Sequence, residues 1–105
     1  MPLTWNINIS PNMQKPPRVH FDPNPLDNEV EPGDQIFWAN NDRAAHWPGL
    51  QNSDGTINET FFMPNQIAPN STSAAFSPAT SGTLNYACSI HPDEKGTIQV
   101  SAVNG

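Results

Sequence analysis

The chain has little charge and little sequence that could form a helix. Only 13% of its 105 residues are charged, against about 25% in typical soluble proteins. Ala, Leu, Glu, Lys and Arg dominate no long window, and these are the residues that favour helices most. Short runs rich in Ile, Val, Phe, Trp and Thr lie instead between turn-forming Pro, Gly, Asn and Asp residues. This composition predicts an all-β protein.

Cysteine is almost absent, since Cys88 is the only one in the chain. An internal disulfide is therefore excluded, and stability must come from core packing, from a bound ion or from both. The length is that of one domain, and we expect a single domain over residues 1–105.

Cations and long apolar runs are also scarce. Four Lys and Arg residues stand against ten Asp and Glu residues, which gives a net charge of -6. Because so acidic a chain cannot neutralise a row of phosphates, we expect no nucleic-acid partner. No apolar run approaches the ~20 residues that a membrane-spanning helix needs, so we expect no membrane span.

Apolar and polar residues alternate in several short segments, as they do in half-buried strands. Six to eight strands without repeats or linkers are predicted, and this number fits a β-sandwich of two sheets. Residues 41–60 are predicted to form a long polar connection. The clearest predicted strands are 4–9, 35–40, 83–88 and 96–103, and the weaker ones are 18–21, 60–64 and 71–78.

The stretch "CSIHPDEKG" contains Cys88, His91 and Glu94. The period of two turns the Cys88 thiol inward at the end of a strand. A catalytic Cys-His pair is disfavoured because no helix follows to stabilise a thiolate. Cys-x-x-His instead suits one metal ion, for which His46 in the long connection is the natural third ligand. A buried inert cysteine beside a surface histidine remains the alternative.

Two stretches, "VEPGDQIFWANNDRAAHWP" and "GTLNYACSIHPDEKGTIQV", together resemble the cupredoxin family, the small type 1 or blue copper proteins of the plastocyanin and amicyanin type. The resemblance implies a Greek-key β-sandwich that binds one copper ion, alternating between Cu(II) and Cu(I). By position it makes His46, Cys88 and His91 the copper ligands. It implies a monomeric periplasmic or otherwise extracytoplasmic electron carrier, not an enzyme, that meets a redox partner protein transiently.

The resemblance also implies a supporting set of contacts around the metal. The backbone N–H of Trp47 would donate to the Cys88 sulphur, and Asn40 or Asn41 would tie the two ligand loops together. Hydrogen bonds to the sulphur of this kind stabilise the thiolate and tune the potential.

The axial position departs from the family pattern. Short-loop relatives have Cys-x-x-His-Pro-x-Met, whereas residue 94 here is Glu. In a first hypothesis, Glu94 is itself the axial metal ligand, which favours Cu(II) and lowers the potential. In a second, it turns to solvent beside Lys95 and leaves the site open. In a third, one Cys, two His and one Glu form a closed zinc site.

Two other functions remain open at this stage. Red copper proteins of the nitrosocyanin kind resemble cupredoxins but have an open copper position, so a site of this kind could bind or convert a small molecule. A copper-binding module without redox turnover is the other alternative.

Overall fold

The computed structural model describes residues 3–11 and 19–101. In this part of the chain there are eight strands in two sheets and no helix, so the predicted all-β class and two-sheet sandwich are confirmed. No helix of the described residues could therefore cross a membrane. The strands are β1 (Thr4–Pro11), β2 (Val19–Asp22), β3 (Leu26–Val30), β4 (Gln35–Asn40), β5 (Pro48–Gln51), β6 (Ile57–Asn58), β7 (Gly82–Cys88) and β8 (Lys95–Val100).

The smaller sheet has the order β2-β1-β4. β1 runs antiparallel to β2 and parallel to β4. Alternation places Ile7 and Ile9 of β1, and Ile36 and Trp38 of β4, on the buried face. The strict alternation of apolar and polar residues in β1 therefore predicts which of its faces enters the core, and burial alternates along β4 as well.

The larger sheet has the order β3-β8-β7-β5-β6. Its central strand, β7, pairs antiparallel with both β5 and β8. The last three residues of β7, Tyr86, Ala87 and Cys88, are all buried. A thiol at the end of this strand is therefore held by neighbours on both sides.

Aromatic rings fill the space between the sheets. Trp38 of the smaller sheet meets Tyr86 of the larger one edge-on, with ring centroids 5.5 Å apart. Met63 is also buried in this core, while Trp5 and Phe76 are partly buried and pack against it. These large side chains thus lie in the core or pack against it.

Three strands lie where the sequence predicts loops. β3 falls in the proline-rich stretch before Gly33, and β5 and β6 fall within the connection predicted for residues 41–60. These strands have five residues or fewer, too few for a visible alternating pattern. They form because β8 and β7 offer backbone partners to β3 and β5.

The strands predicted over 60–64 and 71–78 are wrong. The second segment crosses the free edge of β4 through isolated bridges: Phe76 and Ile36 exchange backbone hydrogen bonds of 2.8 and 2.9 Å. The side-chain hydroxyl of Ser73 also accepts a hydrogen bond from the backbone amide of Trp38, at 2.9 Å. Nearby prolines lack the N–H that a continuous ladder needs. Residues 18 and 102–103, at predicted strand ends, lie outside the described residues.

Candidate metal centre

Two loops at one end of the sandwich bring the four sequence-predicted site residues together. His46 lies between β4 and β5, Cys88 ends β7, and His91 and Glu94 lie in the turn before β8. Each offers one ligand atom, and these atoms all lie within 4.8 Å of one another.

The ligand atoms face a common centre. Sγ of Cys88 lies 3.7 Å from Nδ1 of His46 and 3.9 Å from Nδ1 of His91. Oε1 of Glu94 lies 3.1 Å from Nδ1 of His46 and 3.4 Å from Nδ1 of His91. Cys88, His46 and Glu94 are buried, whereas the His91 side chain is 33% exposed. Of these four residues, only His91 connects the centre to solvent.

Strand pairing explains why Glu94 points inward. The Cys88 amide donates to the Glu94 carbonyl at 2.9 Å, one step beyond the Ala87–Lys95 pair of β7 and β8. Residues opposite each other in an antiparallel pair project on the same face, so Glu94 follows Cys88 into the interior. Glu94 is 2% exposed, while Lys95 is exposed. The hypothesis that Glu94 turns to solvent beside Lys95 is therefore wrong.

The carboxylate of Glu94 has an unpaired oxygen. Its Oε1 atom is buried and accepts no hydrogen bond, although two imidazole nitrogens lie close to it. A buried carboxylate oxygen without a partner is costly, and coordination to a cation would satisfy it. Two neutral imidazoles, one thiolate and one carboxylate neutralise a divalent ion, so the group could hold one copper ion.

The Cys88 sulphur is supported as expected. The Trp47 amide donates to Sγ of Cys88 at 3.4 Å. The Ser89 amide donates back to the Trp47 carbonyl at 2.7 Å. These two bonds fasten the His46 loop to the Cys88 loop.

Asn40 has a different role from the predicted one. Its side-chain amide donates to the carbonyls of Ala44 at 2.8 Å and Ile67 at 3.2 Å, and its oxygen accepts from the Asp42 amide at 3.0 Å. Asn40 therefore joins the loop before His46 to the segment at Ile67, and the two ligand loops are linked instead through Trp47.

Asp42 is a site residue that the sequence analysis missed. Its Oδ2 atom lies 2.8 Å from Nε2 of His46, the ring nitrogen that faces away from the other three ligand atoms. Its side chain is 13% exposed. An Asp four residues before a His in an irregular loop has no periodic pattern that would predict the contact.

The surroundings favour a thiolate at Cys88. Burial alone would raise the pKa of the thiol, but hydrogen bonds from His46 and from the amides of Trp47, His91 and Ile90 lower it below its usual value. The thiolate is the form that binds metals.

His46 and Glu94 are each shifted toward the protonated form. Burial opposes a charge on His46, but the Cys88 thiol, the Asp42 carboxylate and Glu94 outweigh it and raise the pKa of His46 to about 9. Burial raises the pKa of Glu94, against the opposing effect of His46 and His91. In the absence of a metal, the imidazole of His46 is therefore protonated on both nitrogens and positively charged at neutral pH.

Metal binding should consequently depend on pH. Since His46 must lose its proton to bind, apparent Zn(II) affinity should rise by about tenfold per pH unit for each proton released, up to the His46 pKa of about 9, and then level off. Competition with a chelator at pH 7, 8 and 9 measures this. An affinity that stays flat from pH 7 to 9 would contradict the loss of a proton from His46 on metal binding.

Comparison with known proteins identifies solved structures with a similar fold. No protein-family model and no curated protein sequence matches the chain, but solved structures do. A novel purple cupredoxin from Nitrosopumilus maritimus has a TM-score of 0.75 at 21% identity, covering 91% of this chain and 98% of its own. The reduced Cu(I) form of an amicyanin mutant has a TM-score of 0.70 at 18% identity, covering 93% and 82%. Amicyanin from Paracoccus versutus has a TM-score of 0.67 at 16% identity, covering 93% and 81%.

The architecture and the donor set together define a class of protein, a two-sheet β-sandwich with a candidate copper site between the loops at one end. The chain has the cupredoxin fold. Its His46, Cys88, His91 and Glu94 cluster fits a cupredoxin site with Glu in the axial position.

Proposed function

We propose that the protein is a one-electron carrier with a mononuclear copper site. His46, Cys88, His91 and Glu94 would hold the ion through two imidazoles, one thiolate and one carboxylate. Bound copper supplies the Cu(II)/Cu(I) couple. These residues would hold both states with little rearrangement, because backbone pairing fixes Cys88 and Glu94 and the Asp42 contact fixes His46.

One observation carries this proposal: four metal-binding atoms of the types that suit copper converge, and only one of the four side chains reaches solvent. The exposed edge of His91 gives an electron a short route to a docked partner. The buried Glu94 carboxylate lies against the two imidazoles, where it would leave less room for an exogenous ligand. This arrangement favours outer-sphere electron transfer over chemistry on a small molecule.

The surface around His91 fits transient docking. The resemblance to cupredoxins implies an apolar rim of Pro48, Leu50 and Pro92. Pro92 is exposed, Leu50 is half-buried and Pro48 is buried, so Pro48 does not belong to the rim. Ile90 is 43% exposed and lies one residue before His91, so it takes the place of Pro48 in the rim.

The proposal is tested by adding Cu(II) and recording visible and EPR spectra. We expect an intense thiolate-to-copper band that disappears on reduction and returns on reoxidation in a reversible one-electron step. Cys88→Ser should abolish the band, because the hydroxyl is a far poorer donor than the thiolate. A colourless copper complex, or one that cannot be cycled, would rule out the carrier.

Azide addition separates the carrier from the open-site alternative. The carrier should show fast self-exchange and no change of its spectrum with azide. A shift of the charge-transfer bands would favour a small-molecule site of the red copper kind. Stable copper binding without reversible reduction would favour the non-redox module.

The setting of the protein is part of the same proposal. We infer a monomer that meets a redox partner protein transiently in the periplasm or another extracytoplasmic space. Support comes from the fold shared with amicyanin and from the small apolar rim beside an exposed ligand.

A further inference from the structure

Asp42 makes a contact that the proposed ligand set does not require. The carboxylate lies 2.8 Å from Nε2 of His46, and both side chains are largely buried. Because an ionised carboxylate only accepts hydrogen bonds, this contact needs a proton on Nε2. The other ring nitrogen, Nδ1, is then the one that can bind an ion.

The carboxylate is itself held in place. Burial acts to raise the pKa of Asp42, but His46 and the backbone amides of Arg43 and Ala44 outweigh it and lower this pKa, which favours the ionised carboxylate. The Asp42 amide donates to the side chain of Asn40, which also holds the carbonyl of Ala44. Asp42 is thus fixed within a bonded turn, as a group that orients a ligand must be.

The two histidines are supported unequally. His46 is 1% exposed and has a carboxylate on the nitrogen that faces away from the other ligands. His91 is 33% exposed, and the carboxylate near it is that of Glu94, whose Oε1 atom lies 3.4 Å from Nδ1 on the side of the other ligand atoms. The fold therefore constrains one imidazole and leaves the other at the surface.

We propose that Asp42 is a positioning residue of the metal centre: it fixes the tautomer and orientation of His46 and makes this ligand a stronger donor to Cu(II). A carboxylate on the outer nitrogen of a ligating histidine raises the basicity of the ligand. The stronger donor stabilises Cu(II) more than Cu(I). This inference rests on the proposed copper site for its effect on potential, but not for its effect on the tautomer.

The tautomer is tested on zinc-loaded protein, which is diamagnetic and needs no copper chemistry. Nitrogen-15 spectra of the imidazole rings should show His46 bound through Nδ1, with a slowly exchanging proton on Nε2. In Asp42→Ala this proton should exchange rapidly. In Asp42→Asn it should persist, because the amide oxygen still accepts the hydrogen bond.

The donor strength is tested by affinity and potential. Loss of an outer-shell partner typically weakens metal binding by about 10- to 100-fold, and we expect Asp42→Asn to weaken Cu(II) binding about tenfold. If Cu(I) binding is unchanged, the potential rises by roughly 59 mV. Asp93→Asn is the matched control, since Asp93 is an exposed neighbour of Glu94 and its substitution removes the same charge.

Three results would overturn the inference. The first is an Nε2 proton that exchanges equally slowly in the wild type and in Asp42→Ala. The second is an unchanged potential and Cu(II) affinity in Asp42→Asn, and the third is an equal change in Asp93→Asn. If Asp42→Ala does not fold, Asp42→Asn still decides the donor effect. Failure of the copper proposal itself would appear as the absence of a reversible copper couple in the wild type, with the zinc result unaffected.

Discussion

Replacement of Glu94 by Gln or by Met should raise the reduction potential of the copper-loaded protein by on the order of 100 mV and move its charge-transfer bands. Two unit charges about 4 Å apart interact by about 4 kcal/mol at an effective dielectric constant near 20, and 59 mV corresponds to a tenfold change for one electron. The carboxylate charge stabilises Cu(II) over Cu(I), so either neutral replacement favours reduction.

The surroundings of the carboxylate support a role in metal binding. Glu94 is buried opposite Cys88, and its Oε1 atom lies near both imidazoles without accepting a hydrogen bond. Gln preserves the volume and removes only the charge, so it isolates the electrostatic effect. Met supplies the soft ligand of the short-loop cupredoxin pattern and should give bands closer to those of a blue site.

Asp93→Asn is again the matched control, because it removes one charge from the adjacent exposed position. Exposed charges are screened by solvent and salt, so its potential should change by much less than that of either Glu94 variant. If both Glu94 variants keep the bands and the potential of the wild type, Glu94 is not a ligand. A protein that takes up Zn(II) and shows no stable thiolate-copper band would support the closed zinc site instead.

The parts of the fold that the sequence predicts are those with long alternating patterns. β1 alternates strictly between apolar and polar residues, and its buried face follows from this alone. In β4 residues 36–39 are all apolar, and the structure buries Ile36 and Trp38. β5 and β6 have four and two residues, too short for a pattern. β5 forms because β7 offers it backbone partners, and β6 forms on β5 in turn. Prolines explain why the strand predicted over residues 71–78 does not form. They keep this segment irregular even though it bonds to the edge of β4.

The residues of the candidate site also differ in whether the sequence predicts their positions. Strand period predicts the inward Cys88 thiol, and the same argument extended across the β7–β8 pair would have predicted a buried Glu94. Recognition of that pairing requires the register, which the sequence of the turn does not specify. Asp42 lies in an irregular loop where contacts depend on backbone geometry, so its bond to His46 becomes visible only in the structure.

Gly96→Ala should destabilise the protein by about 3 kcal/mol, toward the upper end of what overpacking a core costs. Gly96 lies opposite Tyr86 in the β7–β8 ladder. A Cβ atom at residue 96 would come within 2.2 Å of Cζ and the hydroxyl oxygen of Tyr86. Tyr86 is fully buried between the sheets and meets Trp38 edge-on, so the ring has little room to retreat.

Denaturant unfolding of the metal-free variant measures the loss, with Gln99→Ala as the control on the exposed face of the same strand. The control should stay within about 0.5 kcal/mol of wild type. Because the cost arises from one contact, Gly96→Ala should cost less in a Tyr86→Leu background, as contacting residues are energetically coupled. An equal cost in both backgrounds would contradict the clash. Glu94 lies two residues before Gly96 and on the same face of the sheet, so the glycine that accommodates the Tyr86 ring is a near neighbour of the candidate metal site.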